Sequence, residues 1–152
     1  MTTRFLEDEG FSLEGNRVCD TCFLGGAAFM LETEEGRIPS GAQWKAKKLP
    51  NGFYHLTTVF QEPEGTVLEG NKFAPSSFLG GAAFMSPDQG ATGTMWTAIP
   101  AGGGYYFLTT KFLEDEDLVL EGNKVARGST LGGAAFMSPD KATGTQWKFI
   151  EL

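Results

Sequence analysis

The segment LGGAAFM occupies residues 24–30, returns at 79–85 and returns again at 131–137. Each occurrence follows Leu-Glu-Gly-Asn plus a basic residue, at 13–17, 68–72 and 120–124, and precedes a tryptophan, Trp44, Trp96 or Trp147. A recurrence of roughly 50 residues marks a triplicated supersecondary unit, and one such unit cannot bury its own apolar face. The copies cover about 1–52, 53–104 and 105–152, and the 152 residues suffice for one domain with a core.

Within each copy, turn signals cut the chain into four short runs. The first is aromatic: FYHLTTVF at 53–60 and YYFLTTKF at 105–112, with only 2–5 in copy one, which lacks the leading aromatic pair. An acidic turn follows at 7–10, 62–65 and 114–117. The second run is built on Leu13, Leu68 or Val119 and Leu120, and Gly-Asn breaks it. The third is Ala-Ala-Phe-Met, and the fourth carries the tryptophan, at 43–47, 95–99 and 146–150. Paired glycines before the third run, and Ser-Pro after it in two copies, oppose the helix that Ala and Met alone would allow. With 21 glycines spread through the repeats and no sustained 3.6-residue period, the chain reads as all-β. Three four-stranded units are too few for a propeller. They predict a β-trefoil, in which three units close a barrel and each adds a hairpin that caps its end. Closure would set 147–152 beside 2–5 and remove exposed strand edges.

Composition narrows the function. A net charge of −7 opposes nucleic acid and anionic membranes as partners. No apolar run approaches a membrane span, so no membrane insertion is expected. The first residues have no apolar signal core, which makes cytoplasm the default localisation and leaves secretion open. Cys19 and Cys22 align with Ala74, Ala126 and Ser77 of the other copies. They read as inert thiols or a local disulfide, since zinc would need four ligands and the one histidine, His55, lies far along the chain. No cofactor is implied. A catalytic pair would need a base, and copy three replaces His55 by aromatic residues, so no enzyme is expected. The acidic turns read as a solvated face, because they lack the alternating ligands of a cation loop.

The order of Y-x-L-T-T, L-E-G-N, GGAAFM and T-G-x-x-W-K resembles the ricin-type β-trefoil domains of bacteria, over essentially the whole chain and in all three copies. The resemblance implies a carbohydrate-binding, lectin-like protein with up to three shallow sites for glycans, galactose-type sugars among them. It places Trp44, Trp96 and Trp147 in the core. The family's glutamine two residues before the tryptophan is here Ala42, Thr94 and Thr145, while Gln43, Met95 and Gln146 stand one before it. The candidate sugar contacts are Glu14, Glu69 and Glu121 with Asn16, Asn71 and Asn123, since a carboxylate and an amide together accept from and donate to vicinal hydroxyls. Each asparagine has the alternative of satisfying its own turn. Phe29, Phe84 and Phe136 are expected to fill the barrel or its cap, with Ala and Met facing out. The other reading displays the rings, each stacked beneath a sugar's C–H face. Asp88 and Asp140 follow Ser-Pro at matching positions, so a site there would exist in copies two and three only; copy one carries a longer segment instead. The alternative function is a protein-binding trefoil, such as a protease inhibitor or scaffold module, acting through loop 31–40.

Overall fold

A computed structural model describes residues 1–15, 26–33, 37–70, 81–122 and 133–151. Copy one contributes β1 (Thr2–Thr3), β2 (Phe11–Gly15), β3 (Ala28–Glu32) and β4 (Trp44–Lys48). Copy two contributes β5 (Tyr54–Thr58), β6 (Val67–Gly70), β7 (Ala83–Ser86) and β8 (Trp96–Gly102). Copy three contributes β9 (Tyr105–Thr110), β10 (Val119–Gly122), β11 (Ala135–Ser138) and β12 (Trp147–Lys148). Helical bonding among the described residues is confined to three-residue 3-10 turns. These are the acidic Glu7–Glu9, Glu62–Glu64 and Glu114–Glu116, and the turns before each tryptophan, Ser40–Ala42, Thr92–Thr94 and Thr143–Thr145.

The first and fourth strands of the copies form a six-stranded antiparallel sheet in the order β1-β12-β9-β8-β5-β4. Thr2 lies opposite Lys148 and Thr3 opposite Trp147, so the first and last strands meet as the sequence led us to expect. The second and third strands of each copy form a separate hairpin, β2–β3, β6–β7 or β10–β11. Backbone bridges join the hairpins in a cycle: Ala27 with Phe84, Ala82 with Phe136, and Phe29 with Ala134. Amides of Met85, Met137 and Met30 donate to the carbonyls of Gly26, Gly81 and Gly133 at 2.6, 2.6 and 2.7 Å. Gly26, Gly81 and Gly133 are the second glycines of each pair, and their φ of 81°, 82° and 83° is open only to glycine at low cost. A six-stranded barrel sheet capped by a three-membered ring of hairpins is the β-trefoil.

Strand alternation fills the core. Leu13 pairs with Met30, Leu68 with Met85 and Leu120 with Met137, and all six are buried. Burying such a side chain stabilises by about 1.5–3 kcal/mol. Trp96 and Trp147 are buried as expected while Trp44 is only half-buried against the core, and the three indole N–H groups donate to the Leu13, Leu68 and Leu120 carbonyls, each at 2.7 Å.

Each second strand ends at the glycine of Leu-Glu-Gly, for Gly15, Gly70 and Gly122 are the last residues of β2, β6 and β10, and all are buried. A Cβ on Gly122 would stand 2.8 Å from Met30 Sδ, 2.8 Å from Thr3 Cγ2 and 2.9 Å from Trp147 Cη2. The same trio, always with a methionine from the next copy, closes on Gly15 and Gly70. Close approach, not turn geometry, therefore selects glycine here. One reading is corrected: among the described residues the barrel differs from full closure, for β1 and β4 are the two ends of the sheet order and no ladder joins them.

Candidate functional site

Each hairpin has a buried side and an outward side. Ala28, Met30, Ala83, Met85, Ala135 and Met137 point inward, while Phe29, Phe84 and Phe136 are only half-buried. This corrects the expectation that phenylalanine fills the cap and Ala and Met face out. The small alanines and unbranched methionines suit the crowded centre where three hairpins converge, leaving no room there for three rings.

The pairing register brings two predicted partners together in every copy. Glu14 lies directly across from Phe29, Glu69 from Phe84 and Glu121 from Phe136. Directly opposed residues share one face of an antiparallel pair, with Cβ atoms about 4.5–5.5 Å apart. Because Phe84 also bridges Ala27, Phe136 bridges Ala82 and Phe29 bridges Ala134, each pair stands at a junction of two copies.

A glycine from the 3-10 turn before the tryptophan forms the third side. A Cβ on Gly41 would lie 2.8 Å from Glu14 Oε1; on Gly93, 3.1 Å from Glu69 Cγ; on Gly144, 3.5 Å from Glu121 Cγ and Oε1. Each glutamate is thus pressed between its own strand partner and a turn without a side chain at that point. Burial raises the Glu14 carboxyl above its ordinary 4.5. Sequence reading missed these glycines, although the Ser-Gly or Thr-Gly three residues before each tryptophan carried the signal.

The remaining predicted residues stand elsewhere. Asp88 and Asp140 are exposed, two residues beyond Ser86 and Ser138, which close the opposite end of each hairpin, so they are not brought to the Glu–Phe pairs. Their backbone amides donate to Ser86 and Ser138 Oγ at 3.2 Å, and Asp88 Oδ1 accepts from the Gly90 amide at 3.0 Å, which assigns them to turn formation. Thr94 and Thr145 are buried and their hydroxyls donate to Ala91 and Ala142, at 2.7 and 2.8 Å. Gln43 Nε2 donates to the Ile38 carbonyl at 2.8 Å, and Gln146 Oε1 accepts from Arg4 at 3.1 Å. Asn16, Asn71, Asn123, Cys19 and Cys22 lie outside the described residues. Among the described residues no group of three or more His, Cys, Asp or Glu side chains is placed to hold a metal ion.

The acidic turns do more than meet solvent. Lys45 of copy one pairs with Glu62 of copy two, and Lys148 of copy three pairs with Glu7 of copy one at 3.2 Å. The Tyr105 hydroxyl also donates to Glu7, and this bond, followed by that from Lys148, holds the Glu7 carboxyl below its ordinary value. The turns that carry Glu7 and Glu62 are therefore clasps between copies.

No protein-family model matches this chain, and no curated protein matches it significantly. Among solved structures it is similar to the designed 3-fold symmetric protein ThreeFoil, with a TM-score of 0.58 and 20% identity over 93% of this chain and 98% of that one. The likeness is one of fold, and the fold is the β-trefoil with threefold internal repetition.

Proposed function

We propose that this protein is a non-catalytic, lectin-like carbohydrate binder of ricin type, with three equivalent shallow sites around the hairpin cap. The observation that carries this reading is the repeated Glu–Phe pair, half-exposed and set against a side-chain-free turn in every copy. A carboxylate accepts from two vicinal hydroxyls, a flat ring takes a sugar's C–H face, and a glycine leaves room for the ring of the sugar. The partners are glycans, galactose-type sugars first among them by resemblance. One shallow site is weak, and three engaging a glycan-bearing surface raise the apparent affinity by about 10²–10⁴ where geometry permits.

Glycan-array binding and haemagglutination test this with the purified chain. Phe29→Ala, Phe84→Ala and Phe136→Ala are expected to lower avidity in steps when combined, while far-UV circular dichroism stays unchanged. Glu69→Gln, which keeps the shape and removes the charge, is expected to weaken its own site. Full glycan avidity in the triple phenylalanine variant would refute the assignment of these pairs. Absence of glycan binding, with partner capture that fails when loop 31–40 is shortened, would favour the protein-binding alternative.

A further inference from the structure

Two of the junctions between copies carry the same cleft with different chemistry. In both, the fourth strand of one copy pairs with the first strand of the next, β4 with β5 and β8 with β9. A threonine then ties down the chain before the second strand: Thr57 Oγ1 donates to the Thr66 carbonyl and Thr109 Oγ1 to the Leu118 carbonyl, each at 2.7 Å. Between copies two and three, Ile99 lies across from Phe107, and with Leu118 they line a cleft of about 170 Å³. Between copies one and two the same three positions are Lys47, His55 and Thr66, and the cleft is about 410 Å³. All three exchanges of apolar for polar residues meet in one place.

His55 is 7% exposed and lines this larger cleft, and its Nε2 is buried without a hydrogen-bond partner. The ring's bond to the Gln89 backbone therefore falls to Nδ1, which fixes the tautomer. Buried polar atoms in folded proteins are nearly always paired, so an orphan beside a cleft marks a place for a ligand. Its surroundings are rich in donors. Lys47 stands directly across from His55 and has no ion-pair partner among the described residues. Lys45 pairs with Glu62, and the Gln89 side-chain amide uses one of its two protons on the Gly65 carbonyl, at 2.6 Å. The charged groups of the lining are thus two ammonium groups, of Lys45 and Lys47, against the one carboxylate of Glu62; the segment 65–67 and Gln89 add none. Donors in excess, with positive charge left over, call for an acceptor-rich anion.

We infer that the cleft between copies one and two binds a small phosphate monoester, its dianionic oxygens held by Lys47 Nζ and by a proton on His55 Nε2. Burial lowers the His55 pKa, and Lys47 adds to this against the opposing bond to Gln89, so the free ring is uncharged at neutral pH. A dianion beside the ring favours its charged form. Binding therefore takes up a proton, and affinity rises as the pH falls. None of the residues lining the cleft belongs to a Glu–Phe pair, so the cleft can bind its anion whether or not the cap binds glycans.

His55 is the one histidine, so its ring protons report on the cleft directly in NMR spectra of the untagged 152-residue chain. Sulfate is the first probe, because its charge does not change between pH 5 and pH 7. It is expected to shift the ring signals saturably, with an affinity about tenfold higher at pH 5 than at pH 7. Methyl phosphate should compete with sulfate at pH 7, and chloride at equal ionic strength should give no saturable change. Lys47→Ile and His55→Phe take the residues of the other junction, which folds with them, so circular dichroism should stay unchanged. Lys47→Ile should abolish the saturable shift of His55. His55→Phe, followed by calorimetry, should weaken sulfate binding at pH 5 by about tenfold and remove its pH dependence. No saturation with sulfate, an equal response to chloride, an affinity that does not rise towards pH 5, or unchanged sulfate binding in Lys47→Ile would each overturn the inference.

Discussion

Gly122 sits where Met30, Thr3 and Trp147 meet, and every one of those side chains is fixed by other contacts. Gly122→Ala must push at least one of them out of place, and overpacking of this kind costs about 1–3 kcal/mol. Urea denaturation of the variant is expected to show a lowered midpoint with an unchanged slope. An unchanged midpoint would mean that the trio is looser than drawn. His55 offers a second test. It is 7% exposed, its Nε2 has no hydrogen-bond partner, and burial pushes its pKa below the ordinary 6.5. The unfolded chain therefore binds the proton more tightly, so His55 contributes stability at neutral pH that is lost as the pH falls below 6.5. Copy three has Phe107 at this position. His55→Phe should remove that acid-side loss, although it also gives up the imidazole's hydrogen bond with the Gln89 backbone. The Met1 amino group, lowered to about 6 by burial, titrates nearby. The informative quantity is accordingly the difference between variant and parent, which should widen in the variant's favour from pH 7 to pH 5 if His55 is the source.

The elements are held to one another by contacts that repeat with different chemistry. The carbonyl at the end of each acidic turn is held by a side chain from the segment after the third strand. Thr33 Oγ1 donates to Gly10 at 2.7 Å, Gln89 Nε2 to Gly65 at 2.6 Å and Lys141 Nζ to Asp117 at 2.7 Å. Position matters here more than residue type, which is why no motif announces the contact. Among the described residues, Lys45–Glu62 and Lys148–Glu7 join copies one to two and three to one, and Thr97 stands at the matching position of copy two, one residue after its tryptophan. Thr97→Lys is expected to add a pair with the turn that carries Glu114. Exposed pairs are worth about 0.2–1 kcal/mol, and 1 kcal/mol shifts the melting temperature by about 2–4 °C in a chain of this size. Calorimetry should show a small rise that disappears in high salt; a rise that survives 1 M salt would point to the lysine stem instead of its charge.

On the scale of the molecule, the copies are interlocked and not merely stacked. Met85 of copy two fills the space above Gly15 of copy one, Met137 that above Gly70, and Met30 that above Gly122, so each copy completes the core of another. A fragment covering 53–104 alone would expose Leu68, Met85 and Trp96, and it should show no strand signal by circular dichroism. The full chain should unfold in one cooperative transition, and separate transitions for the copies would contradict this interlocking. The same cyclic arrangement sets three Glu–Phe pairs around one axis, which is the geometric requirement for multivalent binding.

The sequence by itself determined the repeat, the strand content, the trefoil and the burial of Trp96 and Trp147, though not the half-burial of Trp44, because period, turn residues and alternation are local properties written along the chain. It also named Glu14, Glu69 and Glu121 with their phenylalanines, but it favoured the wrong face for the rings. Which side of a strand is buried depends on what stands across it, and here three hairpins crowd the axis so closely that alanine and methionine fit and phenylalanine does not. The need for glycine at 15, 70 and 122 arises from methionines of other copies, more than ten residues away in sequence and in contact only after folding.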